Sequence, residues 1–310
     1  MAAGDVAVGL IFLLQTVVGS VGNLSLLYLV SLPFKGHKLQ STYLILRHLI
    51  VANLLHVFGR SVPNTTVAFE LKGSFSDIEC KLLFYASRVG RGVSIGSTCL
   101  LSILQAIAIS PWLSTRSQLK AKALRCAGSF IYLNWLLSLL VNVLFPLHQT
   151  AKSRNTNTTN LKDFGYCSAV RHNKDTDSLH TSLLMCPDVV CLGLMLWASS
   201  YMVFVLHRHQ QQVRHIRSTN VSPATRATTS ILLLVSAFVY LYVLSCIFQA
   251  FLGLLHDPGT VLVNGAAIVS GCFPTISPFL LMRSNPNVSR LCWAWTSNRK
   301  PTAVCGTRES

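Results

Sequence analysis

The chain has 310 residues, 51% of them hydrophobic and only 12% charged, a balance that excludes an ordinary soluble domain and a disordered segment alike. Its formal charge of +16, from 26 Lys and Arg against 10 Asp and Glu, falls in short basic runs between long apolar stretches. It therefore reads as membrane topology, not as the continuous basic face that tracks nucleic acid.

Seven apolar stretches reach the roughly 20 residues a helix needs to cross about 30 Å of hydrocarbon. They predict an all-α membrane protein, a single seven-helix bundle over residues 1–310. The stretches lie at about 6–32, 43–63, 82–110, 127–147, 182–206, 229–255 and 260–282, with a tail over 283–310. The first carries Asp5 in place of a basic n-region and is too long for a signal-peptide core, which predicts an uncleaved span. The second sets Asn53, His56 and Arg60 on one helical face. The third carries Arg88 and Arg91 on a face with Phe84 and Ile95, about 12 and 16 Å along the axis from Cys80. Gly92 and Gly96 of the same helix form G-x-x-x-G, which permits close approach of a neighbouring helix.

The fourth stretch leads into a polar connection over about 148–181 that contains the sequon Asn157-Thr158-Thr159, a predicted glycosylation site. The fifth carries Asp188 near one end, within reach of the third-helix arginines, and continues past His207 as a basic, polar helix end. His207, His209 and His215 are spaced on different faces and predict no metal site. In the seventh, Pro274 and Pro278 interrupt the backbone ladder twice in one turn, which predicts a kink and a hinge. In the tail, Val288, Leu291, Cys292 and Trp295 share a face, as in an interfacial helix, with Cys292 a candidate for acylation.

Lys and Arg concentrate on the cytoplasmic side of membrane proteins. With the N-terminus outside, the cytoplasmic connections and tail hold 15 basic residues and one acid, while the outer ones hold seven basic and eight acidic residues. The count predicts N-terminus out and C-terminus in. It also leaves Cys80 and Cys167 as the cysteines with room to pair in the oxidising compartment, so they are predicted to form a disulfide. Cys99, Cys126, Cys186, Cys191, Cys246 and Cys272 are expected as small packing residues.

Charged side chains within membrane spans are functional candidates, because lipid solvates them poorly. Arg91, Arg88, Arg60, His56 and Asp188 are the candidates for a polar ligand pocket; the competing role is an internal network that orients helices. Arg208, Arg214, Arg217 and Arg226 are the candidates for a cytoplasmic docking face. No H-E-x-x-H, G-x-S-x-G or C-x-x-C pattern is present, so neither an enzyme nor a cofactor is expected.

Several stretches resemble the vomeronasal type-1 receptors, a family of G-protein-coupled pheromone receptors. They are CKLLFYASRVGRGVSIGSTCLLSILQAIAISP at 80–111, DFGYCS at 163–168, PDVVCLGLMLWAS at 187–199, HRHQQQVRHIRSTNVSP at 207–223, TRATTSILLLVSAFV at 225–239 and FPTISPFLLM at 273–282. The resemblance implies the Cys80–Cys167 bridge, a glycosylated asparagine at Asn157, a pheromone-like small-molecule ligand and an inhibitory-class heterotrimeric G protein as partner at the plasma membrane. Two departures lie near the implied coupling surface: a shortened loop at Ser222-Pro223-Ala224-Thr225-Arg226, and Tyr43 where the family carries an acid. The alternatives are a receptor that folds without coupling and a seven-helix transporter.

Overall fold

The computed structural model describes residues 3–31, 40–71, 75–110, 117–143, 149–150, 161–163, 167–170, 174–214, 223–255 and 259–284. Seven helical rods account for most of them. They are α1 (Ala3–Ser31); α2 (Gln40–His56), which runs through a π-helical turn (Val57–Ser61) into α3 (Val62–Ala68); α4 (Asp77–Ile109); α5 (Ser117–Asn142); α6 (Lys174–Arg214); α7 (Pro223–Leu254); and α8 (Thr260–Ser284). Six of the rods are long and apolar enough to cross a membrane. The described part of α5 is not among these six: Lys120, Lys122 and Arg125 occupy its first turns, Asn134, Ser138 and Asn142 punctuate the rest, and its expected apolar end runs past Val143 into residues outside the described set.

Several helices exceed their expected bounds. α4 begins at Asp77 in place of 82 because a capping box holds its first turn: Ser76 Oγ accepts from the Glu79 amide at 3.3 Å, and the Ser76 amide donates to Glu79 Oε2 at 2.8 Å. α6 extends into polar sequence at both ends, and α7 at its start. The second rod does not stop at Pro63. A proline ring removes one amide and crowds the preceding turn, and here that turn is wound wider, with the Val62 amide reaching back to the Val57 carbonyl.

The expected helical bundle is present, with one addition that the sequence did not announce. A three-stranded antiparallel sheet, β1 (Gln149–Thr150), β2 (Leu161–Asp163) and β3 (Ser168–Val170), occupies the connection between α5 and α6, in the order β1-β3-β2. Gln149 faces Ala169 and Lys162 faces the same residue from the other edge. Cys167, immediately before β3, bonds to Cys80 in the first turn of α4 with a Cα–Cα distance of 5.9 Å, as expected. Both half-cystines are buried with Phe75 and Phe84, so the sheet is fastened to the start of α4.

The radial distribution of residues is that of a protein whose solvent is hydrocarbon. On α1 the exposed stripe is Leu10, Leu14, Val17, Val21, Leu24 and Tyr28, whereas Gln15 and Asn23 point inward. Lipid supplies little hydrophobic force between helices, so close packing and internal hydrogen bonds must hold them. A side chain at Gly59 would come within 2.6 Å of the Leu83 carbonyl, and one at Gly90 within 2.6 Å of the Ala52 carbonyl, so the second rod and α4 touch through backbone. Gly92 and Gly96 make the expected close contact with α5, against Ser138 and Asn134. An apolar core of Leu26, Leu49, Ile50, Ile95, Ile131, Met195, Phe238 and Phe273 fills the half of the bundle remote from the disulfide.

Candidate functional site

α4 is the axis of the bundle, and its buried stripe sets out polar residues about one turn apart, each turned to a different neighbour. Beginning from Cys80, the first level is Phe84, whose ring lies under the Arg60 guanidinium with its carbon 5.6 Å from the centroid. Arg60 is buried, and its Nε has no hydrogen-bond partner among the described residues. The π-helical turn separates it from the residues expected to share its face. His56 and Asn53 line a narrow cavity, whereas Arg60 packs over Phe84.

At the next level His56 Nδ1 lies 2.9 Å from the Ser87 carbonyl oxygen, and its Nε2 lies 2.8 Å from Ser270 Oγ on α8. Both ring nitrogens are engaged, so the imidazole ties the second rod to α4 and α8. Arg88 lies half-buried on the other side of α4, where Nε donates to Asn142 Oδ1 of α5 at 3.4 Å and Nη1 to Gln249 Oε1 of α7 at 3.3 Å.

One turn deeper, Arg91 forms a buried ion pair with Asp188 of α6. Its Nη2 also lies 3.4 Å from Cys246 Sγ of α7. A charge in this setting must be answered by an opposite one, because neither lipid nor packed protein solvates it. The geometry leaves one donor over: Arg91 Nε is buried and without a partner among the described residues.

Below Arg91, Ser94 Oγ donates to Asn53 Oδ1 at 2.7 Å and lies 3.0 Å from the Tyr242 hydroxyl. Asn53 Nδ2 donates to Asn23 Oδ1 at 3.2 Å and to Ser277 Oγ at 2.9 Å. Asn23 Nδ2 in turn donates to the Pro274 carbonyl at 2.8 Å. Pro278 has no amide to bond that carbonyl in the helical pattern, so Asn23 supplies the missing donor. α8 is helical through both prolines. One of the two expected interruptions is thereby repaired from α1.

Two cavities adjoin Arg91. One, about 50 Å³, lies between α4, α5 and α6 and is lined by Arg88, Arg91, Asn134, Leu137, Val141, Asn142, Leu184, Pro187 and Asp188. The other, about 10 Å³, lies between the second rod, α4, α7 and α8 and is lined by Asn53, His56, Arg91, Ser94, Tyr242, Ser270 and Phe273. The polar interior expected around Arg91, Arg88, His56 and Asp188 is therefore present, with α5 as an unexpected wall.

Sequence reasoning missed Asn23, Ser94, Tyr242, Gln249 and Ser277. The available signal was the rarity of Asn and Gln inside apolar runs, together with the four-residue spacing of the two prolines. Of the remaining candidates, Arg208 is exposed beyond the apolar part of α6. Arg214 ends α6, and Arg226 falls in the first turn of α7. Asn157, Arg217 and Cys292 lie outside the described residues. Of the cysteines expected as packing residues, Cys99 and Cys246 are buried, while Cys126 and Cys186 are exposed on the outer surface of their helices.

A family model described as the vomeronasal organ pheromone receptor family matches residues 6–294. The chain is similar to vomeronasal type-1 receptor 4 of Homo sapiens, with 50% identity over 300 residues, covering 95% of this chain and 99% of that one. It is 50% identical over 285 residues to vomeronasal type-1 receptor 2 of Homo sapiens, covering 90% of this chain and 72% of the relative. With vomeronasal type-1 receptor 3 of Homo sapiens it shares 46% identity over 297 residues, covering 94% and 95%.

Proposed function

The chain belongs to the vomeronasal organ pheromone receptor family, and on that premise we propose that it detects a small organic molecule inside the helix bundle and passes the event to a heterotrimeric G protein. The family is one of chemosensory receptors, not of enzymes. In this reading residues 1–310 act as one receptor domain at the plasma membrane, with the N-terminus outside. The charge asymmetry of the connections and the disulfide at one end of the bundle support that orientation.

The observation that carries the reading is the surroundings of Arg91. Its ion pair with Asp188 joins α4 to α6, its Nη2 approaches α7, and cavities border it on both sides. A ligand oxygen that engages the remaining donor of this guanidinium acts on the group that holds three helices together. Ligand binding biases a conformational equilibrium only through such differential contacts. Arg88, Arg60, His56 and Asp188 shape the polar surroundings in the same account.

At the opposite end, Arg208, Arg214, Arg217 and Arg226 form the face offered to the G protein, of the inhibitory class. Asn157 is glycosylated outside, and an acyl chain on Cys292 holds the tail to the inner leaflet. The test is cyclic AMP or calcium signalling against volatile and steroid-like compounds, in cells whose N-terminal tag is labelled without permeabilisation. A dose-dependent response in labelled cells is expected; Arg91→Ala lowers surface delivery by stranding Asp188, and the cells that still display the tag lose the response. Solute flux independent of any G protein would overturn the receptor reading in favour of a transporter.

A further inference from the structure

We infer that the cleft between α4, α5 and α6 is entered from the bilayer, through the seam between α5 and α6, by a neutral lipophilic molecule bearing one hydrogen-bond-accepting oxygen. The inference rests on the receptor reading and specifies its ligand chemistry and route.

The seam is the loosest junction between sequential rods. Among the described residues α5 packs along α4, and α6 packs along α4 and α7, but α5 and α6 scarcely meet. Apolar residues flank the cleft: Leu137 and Val141 on α5, Leu184 and Pro187 on α6. Leu137 is 49% exposed although it lines the cleft, and its outer neighbours Leu133 and Leu140 are 55% and 61% exposed. The mouth is thus bordered by side chains that face hydrocarbon, and a molecule dissolved in the bilayer meets it without crossing a polar surface.

The floor specifies the polar group. Asp188 answers the charge of Arg91, and Arg88, which also lines the cleft, is hydrogen-bonded to the amides of Asn142 and Gln249; it is the route through hydrocarbon that selects a neutral ligand. Arg91 lines this cleft, and its buried Nε donor has no partner among the described residues; an ether, hydroxyl or carbonyl oxygen that reaches it as the walls part would complete it. A permanently charged ligand meets a costly hydrocarbon path, whereas a ketone or ester partitions along it. The cavity holds about 50 Å³, well below the roughly 300–1,000 Å³ of small-molecule pockets. A ligand must therefore part its walls, and the weakly packed seam is where that costs least.

The full chain in lipid nanodiscs is exposed to a steroid ketone carrying a photoreactive diazirine, to the same compound without the ketone oxygen, and to a sulfonated, bilayer-impermeant counterpart; labelled peptides are then mapped. The ketone is expected to label 134–142 and 184–191. The deoxygenated compound labels these about fivefold less, the loss of one hydrogen bond, and the sulfonate does not label them. Leu137→Trp fills the mouth and lowers labelling about tenfold, while Val21→Trp, on the lipid-facing side of α1, does not. Val141→Phe repeats the test if Leu137→Trp fails to fold. Labelling by the sulfonate at these segments, or labelling insensitive to both cleft variants, overturns the route. An agonist response that survives the cleft variants overturns the route and leaves the receptor reading standing. Seam labelling of a chain that evokes no G-protein signal with any compound sinks the receptor reading instead.

Discussion

Asn23 of α1 donates to the carbonyl of Pro274 on α8, an oxygen that Pro278, four residues on, cannot bond. Two prolines in one span would otherwise leave an acceptor unsatisfied where no water competes for it. The same amide group accepts from Asn53, so a single side chain joins the repaired helix to the buried network around Ser94.

Asn23→Ala is expected to destabilise the protein by about 1–3 kcal/mol, the cost of orphaned buried polar groups. Pro278→Ala restores an amide to the helix, so the double variant should lose less than the sum of the two single losses. Thermal unfolding in detergent of the four proteins checks this, and strict additivity would contradict the repair.

The ion pair gives a test that separates folding from recognition. Removing one partner of a buried pair typically costs about 3–5 kcal/mol, because the other charge is stranded. Arg91→Met and Asp188→Leu should each reduce surface delivery, whereas the double variant should recover it. The recovered protein should still fail to respond to an agonist of the native chain. A restored response would assign the pair to architecture alone.

Gly90 lies where a side chain would stand 2.6 Å from the Ala52 carbonyl, and nothing stands within 4 Å of the corresponding point at Gly193. Gly90→Ala should therefore cost about 1–3 kcal/mol through overpacking, and Gly193→Ala should stay within about 0.5 kcal/mol. Thermal unfolding again decides; equal losses would mean that the second rod and α4 can part without penalty.

Cys80→Ser and Cys167→Ser should impair surface delivery equally, with the double variant no worse than either single one. Partners in one bond lose it once. Flow cytometry of an N-terminal tag reads the outcome, and additive losses would argue for separate roles.

Sequence pattern carried the α4 stripe well, because helical period and the cost of intramembrane charge together single out Arg88 and Arg91. It also brought Asp188 within reach of them. Asn23 stood out only as a rare amide inside an apolar run, since the carbonyl that gives it a role belongs to a residue 251 positions away. The strands β1 to β3, of two or three residues each, are too short to show alternation. The start of α4 was legible in Ser76-Asp77-Ile78-Glu79, a capping pattern outweighed by its polarity when the span was sought by hydropathy.

The wide turn at Val57–Ser61 bears on how this chain is compared with others. Each residue advances an α-helix by about 100°, so a relative with a regular turn here would be one residue shorter between His56 and Pro63 while keeping both in place. Aligning the two then calls for a gap inside a membrane helix, where gaps are usually penalised most. Refusing it would shift either His56 or Asn64 onto the wrong counterpart, and a difference in winding would pass for a difference in side chains.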